Sequence, residues 1–125
     1  MPSLRNNLAA LCCVVAVAVA AADDIRILVQ SSPLAGFQYY AGEGLWDEIG
    51  VGDRLELVRE ADNAHDANAV RVEWHGRKLG YLPRAENGAV AAAMDRGARV
   101  EARVARLRRH RNPWQRLLVD VYVAL

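Results

Sequence analysis

Five polar side chains crowd one short segment between two alternating runs of the chain. Asp62 is followed closely by Asn63, His65, Asp66 and Asn68. Asn and Asp side chains accept hydrogen bonds from nearby backbone N–H groups, so the cluster predicts a wide turn. A carboxylate in such a turn can also accept a hydrogen bond from a hydroxyl group of a ligand. The residues alone leave both interpretations open.

Two further places in the sequence could contact a ligand. Tyr39 and Tyr40 end an aromatic run that we predict as a short strand, so their rings should point to opposite faces. Only one of them can then be in the core; the other is an exposed ring or a stacking platform for a base or a sugar. Arg84 begins a predicted helix, where an arginine and a helix N-terminus together suit a phosphate. The alternative for Arg84 is an ordinary surface position.

The sequence offers little for catalysis. It contains neither a phosphate-binding Gly-x-x-x-x-Gly-Lys-Ser/Thr loop nor a Gly-x-Ser-x-Gly nucleophile motif. The histidines, His65, His75 and His110, have spacings that match no common metal site. We therefore expect no metal, no cofactor and no enzymatic activity.

The elements that must position these residues alternate with period two. The strands predicted from this alternation are Ile25–Val29, Phe37–Tyr40, Asp53–Glu60, Val70–Trp74, Lys78–Leu82, the segment from Val100 and Leu117–Val123. A tight hairpin turn is predicted at His75-Gly76-Arg77. One helical turn is predicted within Leu45–Ile49, and an alanine-rich helix at about 84–96 that stops at Gly97.

The alternation changes phase within the arginine-rich strand. Val104 and Leu107 fall on opposite parities, which predicts a β-bulge near Ala105-Arg106. Bulges help a sheet to bend. The fold prediction is therefore mainly β: a small OB-like or SH3-like β-barrel of six or seven strands with one α-helix.

The N-terminal segment has the parts of a secretory signal peptide. Arg5 precedes an apolar run, Leu8–Val19, and small residues end at Ala22. The run is short for a membrane anchor, which is the alternative. We predict a signal peptide at 1–22 and one domain at 23–125, which leaves the mature chain without cysteine. The protein would be secreted or periplasmic, or cytoplasmic if the start codon is misassigned, with no membrane span after cleavage.

Basic residues concentrate near the C-terminus. Eight arginines and only two acidic residues lie in 96–125. The stripe could face a partner, although a solvated outer face of a hairpin is the commoner cause of such a charge run.

These pieces, in this order, resemble the HIRAN domain, which occurs at the N-terminus of DNA-repair helicases and as a free-standing bacterial domain. The resemblance lies in Gly36–Gly42, Gly52–Glu60, Asn63–Val72 and Lys78–Arg84. Its most specific part is the Asn-x-His-Asp-x-Asn-Ala-Val stretch. The similarity runs from about Val29 to Val123, nearly all of the predicted mature chain.

The resemblance implies an OB-like barrel that binds the 3′ end of single-stranded DNA. It implies that Tyr39 stacks on a terminal base, that His65 packs beside the terminal nucleotide and that Asp66 accepts a hydrogen bond from the 3′-hydroxyl. Asn63 and Tyr40 would shape that pocket. A further pair, Tyr81 and Arg84, would hold phosphates or the second base.

Two positions depart from the family pattern. Gln38 stands where the eukaryotic repair proteins have an arginine, and His65 where they have a tyrosine. The loss of that arginine removes one phosphate contact. The interpretation is a monomeric, non-catalytic nucleic-acid-binding module; the alternative is an envelope or secreted domain that binds a sugar, a peptide or a protein on the same barrel.

Overall fold

A computed structural model describes residues 25–125. Six strands form one antiparallel sheet: β1 (Arg26–Pro33), β2 (Arg54–Glu60), β3 (Ala69–Trp74), β4 (Arg77–Tyr81), β5 (Arg99–Leu107) and β6 (Leu117–Ala124). Their order across the sheet is β1-β6-β5-β2-β3-β4. The helices are α1 (Gly42–Leu45), a single turn, and α2 (Gly88–Asp95). Two 3-10 turns, Phe37–Tyr39 and Pro113–Gln115, complete the described chain. The predicted mainly β fold with one longer helix is confirmed.

The sheet is not closed into a complete barrel. Strands β1 and β4 lie at its two edges, and just after β1 the chain makes one isolated bridge to β4. In that bridge Ala35 and Tyr81 exchange two backbone N–H···O bonds of 2.9 Å. Gly80 permits this approach, because a Cβ atom there would lie 2.2 Å from the Ala35 carbonyl oxygen. The two edges therefore meet at one point beside the aromatic residues.

The bulge predicted in the arginine-rich strand is confirmed. The register between β5 and β6 shifts between Val104 and Arg106, so Ala105 is the extra residue. Val104 is buried before the bulge, and Leu107 packs against the core after it. Arg103 and Arg106 are both exposed as a result. The extra residue thus keeps apolar side chains inward and arginines outward along a bent strand.

The core lies between the inner face of the sheet and α2. Many of its fully buried members come from alternating positions of the strands, among them Leu55, Val70, Val72, Val104, Val119 and Val121. The predicted hairpin at His75-Gly76 is confirmed; both residues have positive φ, 47° and 74°, as a two-residue type I′ turn requires.

Three local predictions were wrong. Phe37–Tyr39 forms a 3-10 turn rather than a strand, because Phe37 anchors it in the core while Tyr39 and Tyr40 are both exposed. The short helical turn forms at Gly42–Leu45, before the predicted segment. The longer helix begins at Gly88 rather than at residue 84, so Arg84 lies in a turn before the helix and not at its N-terminus.

Within residues 25–125, no helix is long and apolar enough to cross a membrane. The predicted signal peptide at 1–22 lies outside the described residues.

Candidate functional site

The polar corner between β2 and β3 is a turn held by its own side chains. The Asn63 Oδ1 atom accepts backbone N–H bonds from His65 at 2.9 Å and from Asp66 at 3.1 Å. The Asp66 Oδ1 atom accepts a bond from the Asn68 backbone N–H at 2.9 Å. The predicted turn role of the corner is therefore confirmed. His65 itself is exposed.

A residue distant in sequence fixes the second oxygen of Asp66. Asn87, which precedes α2 and is 1% exposed, donates from Nδ2 to Asp66 Oδ2 at 2.7 Å. Both carboxylate oxygens are thus oriented, yet a carboxylate can accept about four hydrogen bonds. Asp66 is partly exposed and retains acceptor capacity toward solvent. Asn87 is a site residue that the sequence did not indicate, because the helix predicted at about 84–96 placed it within a helix.

Glu60 connects this corner to the aromatic residues. Its carboxylate accepts hydrogen bonds from Asn63 Nδ2 at 3.1 Å, from the Tyr81 hydroxyl at 3.0 Å and from Arg71 Nη1 at 2.6 Å. Burial disfavours ionisation of Glu60, but these donors outweigh it and hold the pKa of the carboxyl below its usual value. No sequence signal pointed to this role, since alternation simply directs Glu60 outward beside Glu56.

An aromatic pair encloses a lysine next to this network. The rings of Tyr40 and Tyr81 meet edge to face with centroids 6.0 Å apart. Lys78 Nζ lies 4.1 Å from the Tyr40 ring centroid and 4.5 Å from that of Tyr81, which is cation–π geometry. Burial alone would lower the pKa of Lys78, but contacts with Tyr81 and Tyr40 raise it above the ordinary value. Lys78 is a cation at the site that the sequence analysis did not select.

These contacts join five of the predicted site residues: Tyr40, Asn63, His65, Asp66 and Tyr81. Tyr39 and Arg84 are not: within the described chain, no hydrogen bond or ring contact links either of them to the cluster. Tyr39 is 75% exposed on its 3-10 turn, which is tied to β4 by the bond from Ala41 N–H to the Lys78 carbonyl at 3.1 Å.

Two further residues lie on or beside the turn that carries Tyr39. The Gln38 side-chain oxygen is buried and has no hydrogen-bond partner within residues 25–125. Trp114 lies on the second 3-10 turn, which packs against the turn of Tyr39, and its ring is exposed. The Asn112 side chain caps that turn by accepting the Trp114 N–H at 3.1 Å. Tyr39 and Trp114 are thus exposed rings on adjoining turns.

Residues 25–125 contain no group of three His, Cys, Asp or Glu side chains that could hold a metal ion. The fold and the site define a small antiparallel β domain whose surface carries exposed aromatic rings, basic side chains and an oriented carboxylate. Such an arrangement suits recognition of a ligand with flat rings, hydroxyls and negative charge.

The chain belongs to the HIRAN domain family, whose family model matches residues 27–125. A crystal structure of a protein from Lactobacillus plantarum is similar, with 27% identity, a TM-score of 0.70, and coverage of 81% of this chain and 97% of that chain. The HIRAN domain of human HLTF is similar with 23% identity, a TM-score of 0.56, and coverage of 79% and 77%. No curated protein matches the chain.

The HIRAN family has an OB-like fold and is known for DNA binding, and its domains are generally non-catalytic. Membership therefore identifies the chain as a nucleic-acid-binding module, and no catalytic family is indicated. At its level of identity, the likeness to the human domain shows the fold alone.

Proposed function

We propose that this domain binds the 3′ end of single-stranded DNA, with the terminal base stacked on Tyr39 and the 3′-hydroxyl donating a hydrogen bond to Asp66. The observation that carries the proposal is the orientation of the Asp66 carboxylate by the Asn68 N–H and by buried Asn87. A carboxylate held from both sides keeps its remaining lone pairs in fixed directions. It can therefore select a donor without the cost of reorganisation.

The charge of Asp66 supplies the selection for a strand end. A carboxylate repels an internal phosphodiester and a 3′-phosphate, while a free hydroxyl can donate to it. Lys78, which lies against the Tyr40 and Tyr81 rings, and exposed Arg84 supply positive charge that attracts a polyanion despite that carboxylate. In this arrangement Tyr81 and Arg84 contact the phosphates or the second base.

Stacking supplies affinity that does not depend on sequence. Each base stacked on an aromatic ring contributes about 1–3 kcal/mol, whatever the base. Tyr39 is accessible for this contact because it is 75% exposed, and Trp114 offers a second ring on the adjoining turn. His65 and Tyr40 border the terminal nucleotide, and Asn63 holds the turn that carries Asp66.

The test is fluorescence anisotropy with 5′-labelled oligothymidines that end in a 3′-hydroxyl or a 3′-phosphate. We expect the wild type to prefer the hydroxyl by about tenfold, which corresponds to one hydrogen bond to a charged group. Asp66→Asn should abolish the preference. Asp62→Asn is the matched control, since it removes an exposed carboxylate from the same loop and should leave the preference unchanged. Equal binding of the two ends by the wild type would refute the proposal.

The alternative, a sugar, peptide or protein ligand on the same face, predicts no binding of DNA at physiological salt even with all arginines present. The HIRAN membership favours DNA. The same titration decides between them.

We also expect the domain to be monomeric with and without the oligonucleotide, which light scattering after size exclusion can measure.

We further propose that residues 1–22 are removed and that the domain is exported. Mass spectrometry of the protein purified from its native source should then give a mature N-terminus at Asp23. An intact leader on the cellular protein would contradict export and would favour a cytoplasmic DNA-binding role.

A further inference from the structure

A cavity of about 470 Å³ lies where the loop between β5 and β6 meets α1. Its lining includes two aromatic rings and several charged side chains: Phe37, Trp46, Glu43, Arg109, Arg111 and Arg116. None of these residues belongs to the polar corner or to the site predicted from the sequence. The volume falls within the range of about 300–1,000 Å³ that is usual for small-ligand pockets.

The aromatic wall of the cavity is formed before any ligand arrives. Phe37 is 1% exposed, and its ring meets that of Trp46 edge to face with centroids 5.7 Å apart. Helix α1 lies directly on Phe37, because a Cβ atom at Gly42 would be 2.3 Å from the ring. Neither ring can move far without unpacking α1. Packing against buried Phe37 therefore holds the Trp46 ring in place at the wall of the cavity.

The charged side chains around the cavity differ in how firmly other residues hold them. Arg116 is tied into the fold, since it donates to Glu43 Oε1 at 2.9 Å and to the His110 carbonyl at 2.8 Å. Arg109 pairs with Asp47 at 2.8 Å, but these side chains are 78% and 87% exposed. An ion pair so open to water contributes little, and its guanidinium can turn to a ligand at small cost.

The geometry favours an anionic ligand with a planar part. The Arg109 guanidinium carbon lies 5.9 Å from the centroid of the Trp46 ring, and exposed Arg111 lies two residues further along the same loop. Guanidinium groups bind phosphate oxygens in bidentate fashion, and aromatic rings stack on planar bases. A nucleotide carries both groups on one molecule.

We propose that this cavity binds a nucleotide of the DNA strand that lies further from the 3′ end than the second nucleotide, with its phosphate on Arg109 and Arg111 and its base against Trp46. The inference rests on the proposed function. Phe37 in the wall and exposed Tyr39 share one 3-10 turn, so a strand whose last base stacks on Tyr39 can continue into the cavity. A free nucleoside monophosphate has the same chemistry and is distinguished by the experiment.

The experiment compares two double variants that lose the same charge. The cavity variant carries Arg109→Ala and Arg111→Ala, which remove the two exposed arginines that line the cavity. The control variant carries Arg106→Ala and Arg108→Ala, which remove two exposed arginines that do not line it. Anisotropy is measured with oligothymidines of two, four and eight nucleotides, all with a 3′-hydroxyl, at several salt concentrations.

The cavity variant should bind the longer oligonucleotides about tenfold more weakly than the control variant, with little difference for the dinucleotide. Its salt slope should be shallower than that of the control by about 0.7 for each phosphate that it no longer neutralises. Equal weakening in the two double variants at every length would overturn the inference. The end preference set by Asp66 should persist in the cavity variant, so failure of one proposal is distinguishable from failure of the other.

If the wild type binds no strand at all, thymidine monophosphate is titrated while the indole N–H signal of Trp46 is followed by NMR. Trp46→Phe identifies that signal among the three tryptophans of the chain. A shift that is lost in the cavity variant supports a site for free nucleotides. The absence of any shift overturns the cavity as a nucleotide site.

Discussion

Replacement of Glu60 by Gln should destabilise the domain in a pH-dependent way. The carboxylate accepts from Asn63, Tyr81 and Arg71, and hydrogen bonds to charged groups contribute about 1.5–3 kcal/mol each. The amide keeps one acceptor oxygen and turns an NH₂ group toward the remaining donors. Because the Glu60 side chain is 17% exposed and that of Arg71 30%, water recovers part of the loss. We expect a net loss of about 2–3 kcal/mol at pH 7.

The sign of the pH dependence follows from the lowered pKa of Glu60. A carboxyl whose pKa is lower in the folded state stabilises the fold above its unfolded value, here 4.5, and loses that contribution as pH falls through the folded value. The wild type therefore loses this stabilisation in acid, whereas the Glu60→Gln variant has none to lose. The difference in unfolding free energy between them should shrink as the pH falls below about 4.5.

Urea denaturation followed by tryptophan fluorescence, at steps from pH 7 to pH 3, measures this difference. In a thermal melt at pH 7, the melting temperature should fall by roughly 10–20 °C for a domain of this size. Glu56→Gln is the matched control: it lies on the same strand, it is 59% exposed, and it should change stability by less than about 0.5 kcal/mol. A Glu60→Gln variant as stable as the wild type, or a destabilisation that is equal at pH 7 and pH 3, would refute the network as described.

Three further substitutions test other contacts. Asn87→Ala removes the bond to Asp66; we expect a loss of about 1–2 kcal/mol in urea denaturation and a weaker preference for a 3′-hydroxyl in anisotropy. Gly80→Ala places a Cβ atom 2.2 Å from the Ala35 carbonyl, so amide exchange at Ala35 should accelerate and stability should fall by more than about 2 kcal/mol. Tyr39→Ala should leave the melting temperature unchanged yet weaken oligonucleotide binding by about 1–3 kcal/mol; an unchanged affinity would remove Tyr39 from the site.

Local signals along the chain were sufficient for most of the framework. Alternation located the strands because successive side chains point to opposite faces and only one face is buried. The phase slip between Val104 and Leu107 located the bulge for the same reason. The Asn63–Asn68 segment and the His75-Gly76 turn were predictable because their hydrogen bonds and dihedrals involve neighbours in the chain.

The errors arose where a tertiary contact outweighed the local pattern. Phe37–Tyr40 has the composition of a strand, but burial of Phe37 under α1 bends it into a turn and exposes Tyr39. The helix predicted from residue 84 begins later, at Gly88, and Asn87 just before it is buried with its side chain on Asp66. In each case the deciding contact joins segments that the sequence pattern treats separately.

The order of residues was enough to predict a mainly β domain that resembles the HIRAN family and has a polar turn at Asn63–Asn68. Which residues orient that turn became known only from the folded chain. Asn87 reaches Asp66, and Tyr81 reaches Glu60, each across 21 positions of the chain. The same is true of the cavity beside Trp46, which needs α1 and the β5–β6 loop to meet. Periodicity reports which face a side chain occupies, whereas its partner across the fold depends on sheet order and register.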